Sequence, residues 1–141
     1  MVTPEARRLV EAAVEARRRA YAPYSKFLVG AALLGRSGNV YLGCNVENAA
    51  YGTSWCAERT AIGNAVVHGE REFEAIAVVA DSPEPCVPCG ACRQALAEFG
   101  ELVVYMANLA GEVRARALRE LLPESFDRRA LGRGDERERD G

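Results

Sequence analysis

The chain has 141 residues and a mass of 15.3 kDa, the size of one domain with a single sizeable core. Its 49% hydrophobic and 27% charged residues describe an ordinary globular protein and exclude a largely disordered or fibrous one. Eighteen basic against 20 acidic residues leave a formal charge of -2, which offers no broad attraction to phosphate backbones and argues against nucleic acid as a partner.

Met1-Val2-Thr3-Pro4-Glu5 opens no signal peptide, so the cytoplasm is the expected location. Thr3 can cap a first helix with Pro4 at its first position, and Ala6, Leu9, Val10, Ala13, Ala16 and Ala20 carry helical spacing to about Tyr21. Phe27 to Leu34 and Val40 to Cys44 flank a Gly35-Arg36-Ser37-Gly38-Asn39 turn, the signature of a hairpin. The apolar run from Phe27 to Gly35 is far shorter than the roughly 20 residues that span a bilayer, so no membrane association is expected.

A second helix is predicted from Cys56 to Val67, stopped by His68-Gly69. Ala75 to Ala80 has no polar alternation, as expected of a strand covered on both faces. Pro83, Pro85 and Pro88 delay the third helix to about Cys89, with Ala91, Ala95, Leu96 and Phe99 on its apolar stripe. Strands follow at Leu102 to Met106 and around Val113 to Ala117, then a short helix from Leu118 to Leu122 ended by Pro123. From Arg128 to Gly141, five arginines and four acids make a segment too polar to pack. The expected organisation is one domain over 1–127 and a charged, mobile tail over 128–141. The element order argues for an α/β fold, a mixed sheet with helices on both faces, in which the helix starts at Cys56 and Cys89 can converge at one sheet edge.

Five cysteines, an odd number, point to metal ligands or a nucleophile rather than a disulfide framework. Cys89 and Cys92 are three residues apart on a predicted helix, which turns both thiols to one face. That pair alone also fits a redox dithiol or two buried small side chains. Cys56 adds a third sulfur at a helix start, where backbone N–H groups and the helix dipole favour the thiolate. Three thiolates leave a tetrahedral Zn²⁺ one open position, the mark of a catalytic site. The net negative charge calls for compensation, and Arg59 is expected to face the cysteines.

Glu58 is placed to shuttle protons, although a solvated glutamate in a first helical turn reads the same way. Residues two apart on an ideal helix point about 200° away from each other, so Cys56 and Glu58 can share a site only at the helix end. Cys86 opens a rival reading, a closed four-sulfur structural site, but the flanking Pro85 and Pro88 place it in the loop as a non-ligand. Cys44 reads as a buried small residue and His68 as a surface residue at a helix C-terminus.

Cys56-Ala57-Glu58-Arg59-Thr60-Ala61 together with Pro88-Cys89-Gly90-Ala91-Cys92-Arg93-Gln94 resembles the small, homotetrameric-type zinc-dependent cytidine deaminases. The resemblance extends through Tyr24-Ser25-Lys26-Phe27, Val29-Gly30-Ala31-Ala32, Gly43 to Ala49 and Leu121-Leu122-Pro123, covering about residues 4 to 130. It implies a three-layer α/β/α fold with a mixed five-stranded sheet. It implies Cys56, Cys89 and Cys92 as zinc ligands and Glu58 as the general acid/base in hydrolysis of cytidine, and of deoxycytidine, in pyrimidine salvage. It also implies substrate contacts from Phe27, Asn45, Glu47 and Ala57, and a homotetramer in which Tyr51 and Phe126 serve a neighbouring subunit. An aromatic face suits a planar base, and an amide with a carboxylate suits a sugar diol.

Three departures bear on substrate and subunit packing rather than on the reaction: Leu28 where relatives commonly carry proline, Ile62-Gly63 for a Leu-Phe pair, and bulky Trp55 before the first ligand. The alternatives are a deaminase of a modified aminopyrimidine nucleoside of the blasticidin type and a non-catalytic zinc-stabilised interaction module. A polynucleotide-editing deaminase needs a basic strand-binding surface, and Arg17-Arg18-Arg19 reads instead as a solvated helix face.

Overall fold

The computed structural model describes residues 2–132; the remainder of the predicted tail, 133–141, lies outside the described residues. Helix α1 (Pro4–Arg17) starts where expected, with the Ala6 N–H donating to the Thr3 hydroxyl at 3.1 Å and Pro4 in the first turn. It stops short of Tyr21 because Tyr21 is taken by a long-range pairing. The Tyr21 N–H donates to the Asn45 carbonyl at 2.9 Å, and the Glu47 N–H donates to the Tyr21 carbonyl at 2.8 Å. Strand β1 (Val29–Gly35) begins two residues later than predicted, after Lys26 in a left-handed turn (φ 61°) and after the Phe27 carbonyl has accepted a bond from the Asn45 amide.

The other elements are β2 (Val40–Cys44), α2 (Ala57–Val67), β3 (Phe73–Ala80), α3 (Gly90–Ala97), β4 (Val103–Asn108), β5 (Val113–Ala117) and α4 (Leu118–Leu121). Short 3-10 turns occupy Tyr51–Thr53 and Arg128–Leu131. The five strands form one mixed sheet in the order β2-β1-β3-β4-β5, with β3 and β4 parallel and the other neighbours antiparallel. On one face α1 packs Leu9 and Ala13 against Ala32, Ala77, Val79 and Tyr105. On the other, Ala61 and Ile62 of α2 and Leu96 of α3 pack against Leu33, Ile76, Val78 and Met106. The result is the expected three-layer α/β/α architecture. No described helix is long and apolar enough to cross a membrane.

Two features of the sheet place the site. Because β2 and β3 are each antiparallel to β1, they run in the same sense, so the chain leaves both at the same sheet end before entering α2 and α3. Helix α2 also lies directly on β2: a Cβ at Gly43 would sit 2.3 Å from the Ala57 carbonyl and 2.4 Å from the Ala61 nitrogen. Only glycine permits that approach.

Candidate metal centre and active site

Cys56 is the residue that caps α2, with extended backbone angles (φ -74°, ψ 154°), and Cys89 caps α3 in the same way (φ -68°, ψ 167°). Neither thiol makes a capping bond to its own helix. Both sulfurs turn instead to each other, 3.8 Å apart, and the Cys92 sulfur in the first turn of α3 lies 3.4 Å from that of Cys89. All three fall within 4.8 Å of one another, and among the described residues they are the group able to hold a metal ion. Sulfurs bound tetrahedrally at ~2.3 Å from zinc are separated by about 3.8 Å, so this donor set fits Zn²⁺ and leaves one coordination position for a non-protein ligand.

The extended caps resolve the spacing problem posed by Glu58. Cys56 lies outside the helical geometry, so it and Glu58 reach the same cavity from two positions apart. Glu58 is only 4% exposed. Burial pushes its carboxyl above the ordinary carboxylate range, while its own backbone N–H, the Cys92 thiol and the Arg59 charge pull it back down in part. Arg59 takes its expected place: one guanidinium nitrogen is 3.6 Å from the Cys56 sulfur and 3.4 Å from the Ser54 carbonyl.

Burial and then the Glu58 charge push the Cys92 thiol up. For Cys89 burial acts upward too, but its interactions with Cys92 and then with Cys56 outweigh it and the thiol ends lower. Zinc takes cysteine as the thiolate, so metal binding releases thiol protons.

The cavity beside these groups has a volume of about 280 Å³. Phe27, Asn45, Glu47 and Ala57 line it with Cys56, Glu58 and Cys89, as do Val29, Trp55, Cys86 and Val87. The two predicted sugar contacts also hold the wall together. The Asn45 side chain accepts from the Val29 N–H at 2.9 Å and donates to the Phe27 carbonyl at 2.8 Å. One Glu47 oxygen accepts from the backbone N–H groups of Tyr24 and Ser25, both at 3.1 Å, and the other accepts from the Ser25 hydroxyl. Asn45 keeps one N–H and one lone pair, and Glu47 about one lone pair, for a ligand. Ser25, which holds Glu47, has no role assigned from the sequence; its signal is its place in the Tyr24-Ser25-Lys26-Phe27 segment of the resemblance.

Tyr51 and Phe126 do not line this cavity. Tyr51 is 75% exposed, its ring edge-on to Tyr24 at 6.0 Å, and Phe126 is 63% exposed. Cys86 lies on the cavity wall but outside the three-sulfur group. The His68 ring accompanies Tyr41 at 5.9 Å and bonds the Asn64 carbonyl, in its expected peripheral position. A larger cleft, about 430 Å³, separates the end of α3 from the C-terminal segment. Its walls carry the Arg119–Glu101 and Arg129–Asp127 ion pairs, whose charges already satisfy each other.

The family described as the cytidine and deoxycytidylate deaminase zinc-binding region matches residues 3–107. The cytidine deaminase of Sporosarcina psychrophila is 51% identical over 126 residues, 88% of this chain and 93% of that protein. That of Mycobacterium tuberculosis is 41% identical over 114 residues, 81% and 84% of the two chains. The crystal structure of cytidine deaminase from Burkholderia pseudomallei superimposes with a TM-score of 0.83 at 52% identity, covering 85% of this chain and 98% of that one. Zinc is the metal of this family's binding region and the metal that the three sulfurs suit. With the matched region containing all three sulfurs and Glu58, the chain belongs to the cytidine and deoxycytidylate deaminase family.

Proposed function

We propose that the chain is a hydrolase that converts cytidine and deoxycytidine, with water, to uridine and deoxyuridine plus ammonia. The observation that carries this reading is a buried carboxyl, Glu58, opening onto the same cavity as Cys56 and Cys89. Cys56, Cys89 and Cys92 would hold Zn²⁺, which when bound supplies the Lewis acidity that brings the pKa of a water from ~15.7 toward ~7.

Glu58 does the proton work. It accepts a proton from the attacking water and places it on the ring nitrogen beside the amine-bearing carbon, then takes the remaining proton of that oxygen and delivers it to the departing amine. The water oxygen adds to that carbon across its double bond to the protonated ring nitrogen, and the bond to the amine breaks afterwards as the oxygen becomes the carbonyl, so one water enters and one ammonia leaves. Burial keeps bulk solvent from competing for these protons. Arg59 offsets the negative charge of the sulfurs through Cys56. Phe27 offers a face to the base, Ala57 lines the wall beside it, and the unused bonding capacity of Asn45 and Glu47 suits ribose hydroxyls.

A cavity of about 280 Å³ is near the lower end for small-molecule clefts and suits one nucleoside rather than a strand. Relatives at 51% and 52% identity carry the name cytidine deaminase, which does not favour the modified-nucleoside or structural-zinc alternatives. The proposed setting is cytoplasmic pyrimidine salvage, by a single catalytic domain over 1–127. The proposed assembly is a homotetramer in which Tyr51 and Phe126 complete a neighbour's site, supported by the exposure of both rings outside their own chain's cavity.

The test is ammonia release by the pure protein from cytidine, deoxycytidine, cytosine and their phosphates, with metal analysis of the same sample. Turnover of the two nucleosides is expected. Glu58→Gln should lose about 10²- to 10⁴-fold in turnover while retaining zinc. Unchanged turnover in that variant removes the acid/base role, and a zinc-loaded parent inert toward the whole panel removes the substrate class.

A further inference from the structure

Arg93 follows Cys92 on α3, and its guanidinium reaches back past the start of the helix. Nε donates to the Pro88 carbonyl at 2.9 Å, and Nη1 donates to the Leu121 carbonyl, on α4, at 2.8 Å. The Pro88 carbonyl belongs to the peptide that enters Cys89. The proline ring fixes φ of Pro88 and the peptide bond is planar, so ψ of Pro88 is the soft torsion through which the preceding residue orients the Cys89 backbone. A hydrogen bond to that carbonyl fixes the torsion. On the other side of Cys89, its carbonyl accepts the Arg93 backbone N–H at 3.0 Å. That second bond is an ordinary backbone bond of the helix start; the Arg93 side chain holds the peptide plane before this cysteine.

The second prong ties the arrangement to the C-terminal segment. Leu121 lies 28 residues from Arg93, and the neighbouring Gln94 amide donates to the Phe126 carbonyl at 2.6 Å. Arginine suits this position because its planar fork supplies two divergent N–H donors with a fixed angle between them, which a lysine ammonium does not.

We propose that Arg93 is a positioning residue for the metal centre, which orients Cys89 through the Pro88 carbonyl and braces that hold on α4 through the Leu121 carbonyl. The inference rests on the reading of Cys89 as a zinc ligand. It makes zinc affinity depend on a side chain that touches neither zinc nor substrate.

The test compares the parent with Arg93→Met and Arg93→Lys. Zinc affinity is read by competition with a chromophoric chelator. The geometry of the sulfur ligands is read from the thiolate-to-metal absorption of the Co²⁺-substituted protein, and stability from thermal melts. Arg93→Met is expected to weaken zinc binding by about 10- to 100-fold and to shift the Co²⁺ bands, with Arg93→Lys intermediate in both. Parent-like Co²⁺ spectra and an affinity loss under the ~10-fold floor of that range in Arg93→Met overturn the proposal, whatever the melting temperature does. Should Arg93→Met not fold, Arg93→Lys decides alone: an altered spectrum with weaker zinc binding supports the role, and parent-like values in both overturn it. A parent that takes up no zinc overturns the ligand reading itself, and with it this role.

Discussion

The Cys86 thiol packs beside the core on the cavity wall, and burial, followed by the charge of Glu58, pushes its pKa up to about 11. The same two causes raise the Cys92 thiol, so what separates Cys86 from the ligands is its position outside the group of three mutually close sulfurs. Cys86→Ser is expected to keep the full zinc content of the parent, and Cys89→Ser to lose it, by metal analysis after gel filtration. Loss of zinc in Cys86→Ser would restore the closed four-sulfur reading. Glu47 shows a different residue-level effect. The Ser25 hydroxyl and N–H, and then the Tyr24 N–H, hold its carboxyl below the ordinary range against a small opposing effect of burial. A carboxyl depressed in the folded state adds stability above its unfolded pKa of ~4.3 and loses it as pH falls through the lower folded value. Thermal melts between about pH 7 and about pH 3 should therefore show Glu47→Gln less stable than the parent near neutrality, with the gap closing in acid. A gap that stays constant with pH would mean that the bonds to residues 24 and 25 do not depend on the ionised carboxylate.

Elements matter here chiefly through how they seat on the sheet. Gly43 lets α2 rest on β2, and Gly30 lets α1 rest on β1, where a Cβ would lie 2.0 Å from the Ala13 carbonyl. Each Gly→Ala change forces a helix off its strand, and overpacking of this kind costs about 1–3 kcal/mol. The two differ in what moves. Gly43→Ala displaces the helix that carries Cys56 and Glu58 and should weaken zinc binding as well as stability. Gly30→Ala acts on the opposite sheet face and should lower stability alone. Urea unfolding and chelator competition on both variants check this, and equal zinc loss in the two would mean that α2's seat does not set the site. The same level explains what the residues disclosed in advance. Strand β2, strand β5 and the run from Ala57 to Val67 were legible because their signals are local: alternation, helical spacing, a glycine stop. The end of α1 and the start of β1 were not, because Tyr21 pairs with Val46 and Asn45 bonds Phe27 and Val29 across gaps of 16 to 25 positions. The three sulfurs and Glu58 could be read from motif and resemblance, yet their convergence needed the extended caps at Cys56 and Cys89. Arg93 lies inside the Pro88-to-Gln94 motif with no role legible there, since its partner Leu121 is visible only in three dimensions.

At the scale of the whole molecule, one chain presents a cavity whose wall residues come from its own 27–89 region, while two large rings face outward. An exposed aromatic ring is well suited to burial against a second copy. Phe126 is also held at a defined place, its carbonyl bonded by Gln94 on α3, so it is presented rather than left loose. If Phe126 serves a neighbouring site, a Phe126→Ala protein should bind zinc normally and lose roughly tenfold in turnover, the value of one well-placed aromatic contact. Mixing separates lending from self-service. In a symmetric tetramer assembled at random from equal amounts of Glu58→Gln and Phe126→Ala chains, half of the chains keep Glu58, and half of the chains able to lend a ring keep Phe126. About a quarter of the sites then regain both groups. Co-refolded mixtures are expected to recover activity toward that fraction, above the sum of the two variants refolded separately. If each chain uses its own Phe126, no chain in the mixture has both residues, and refolding together gains nothing over refolding apart.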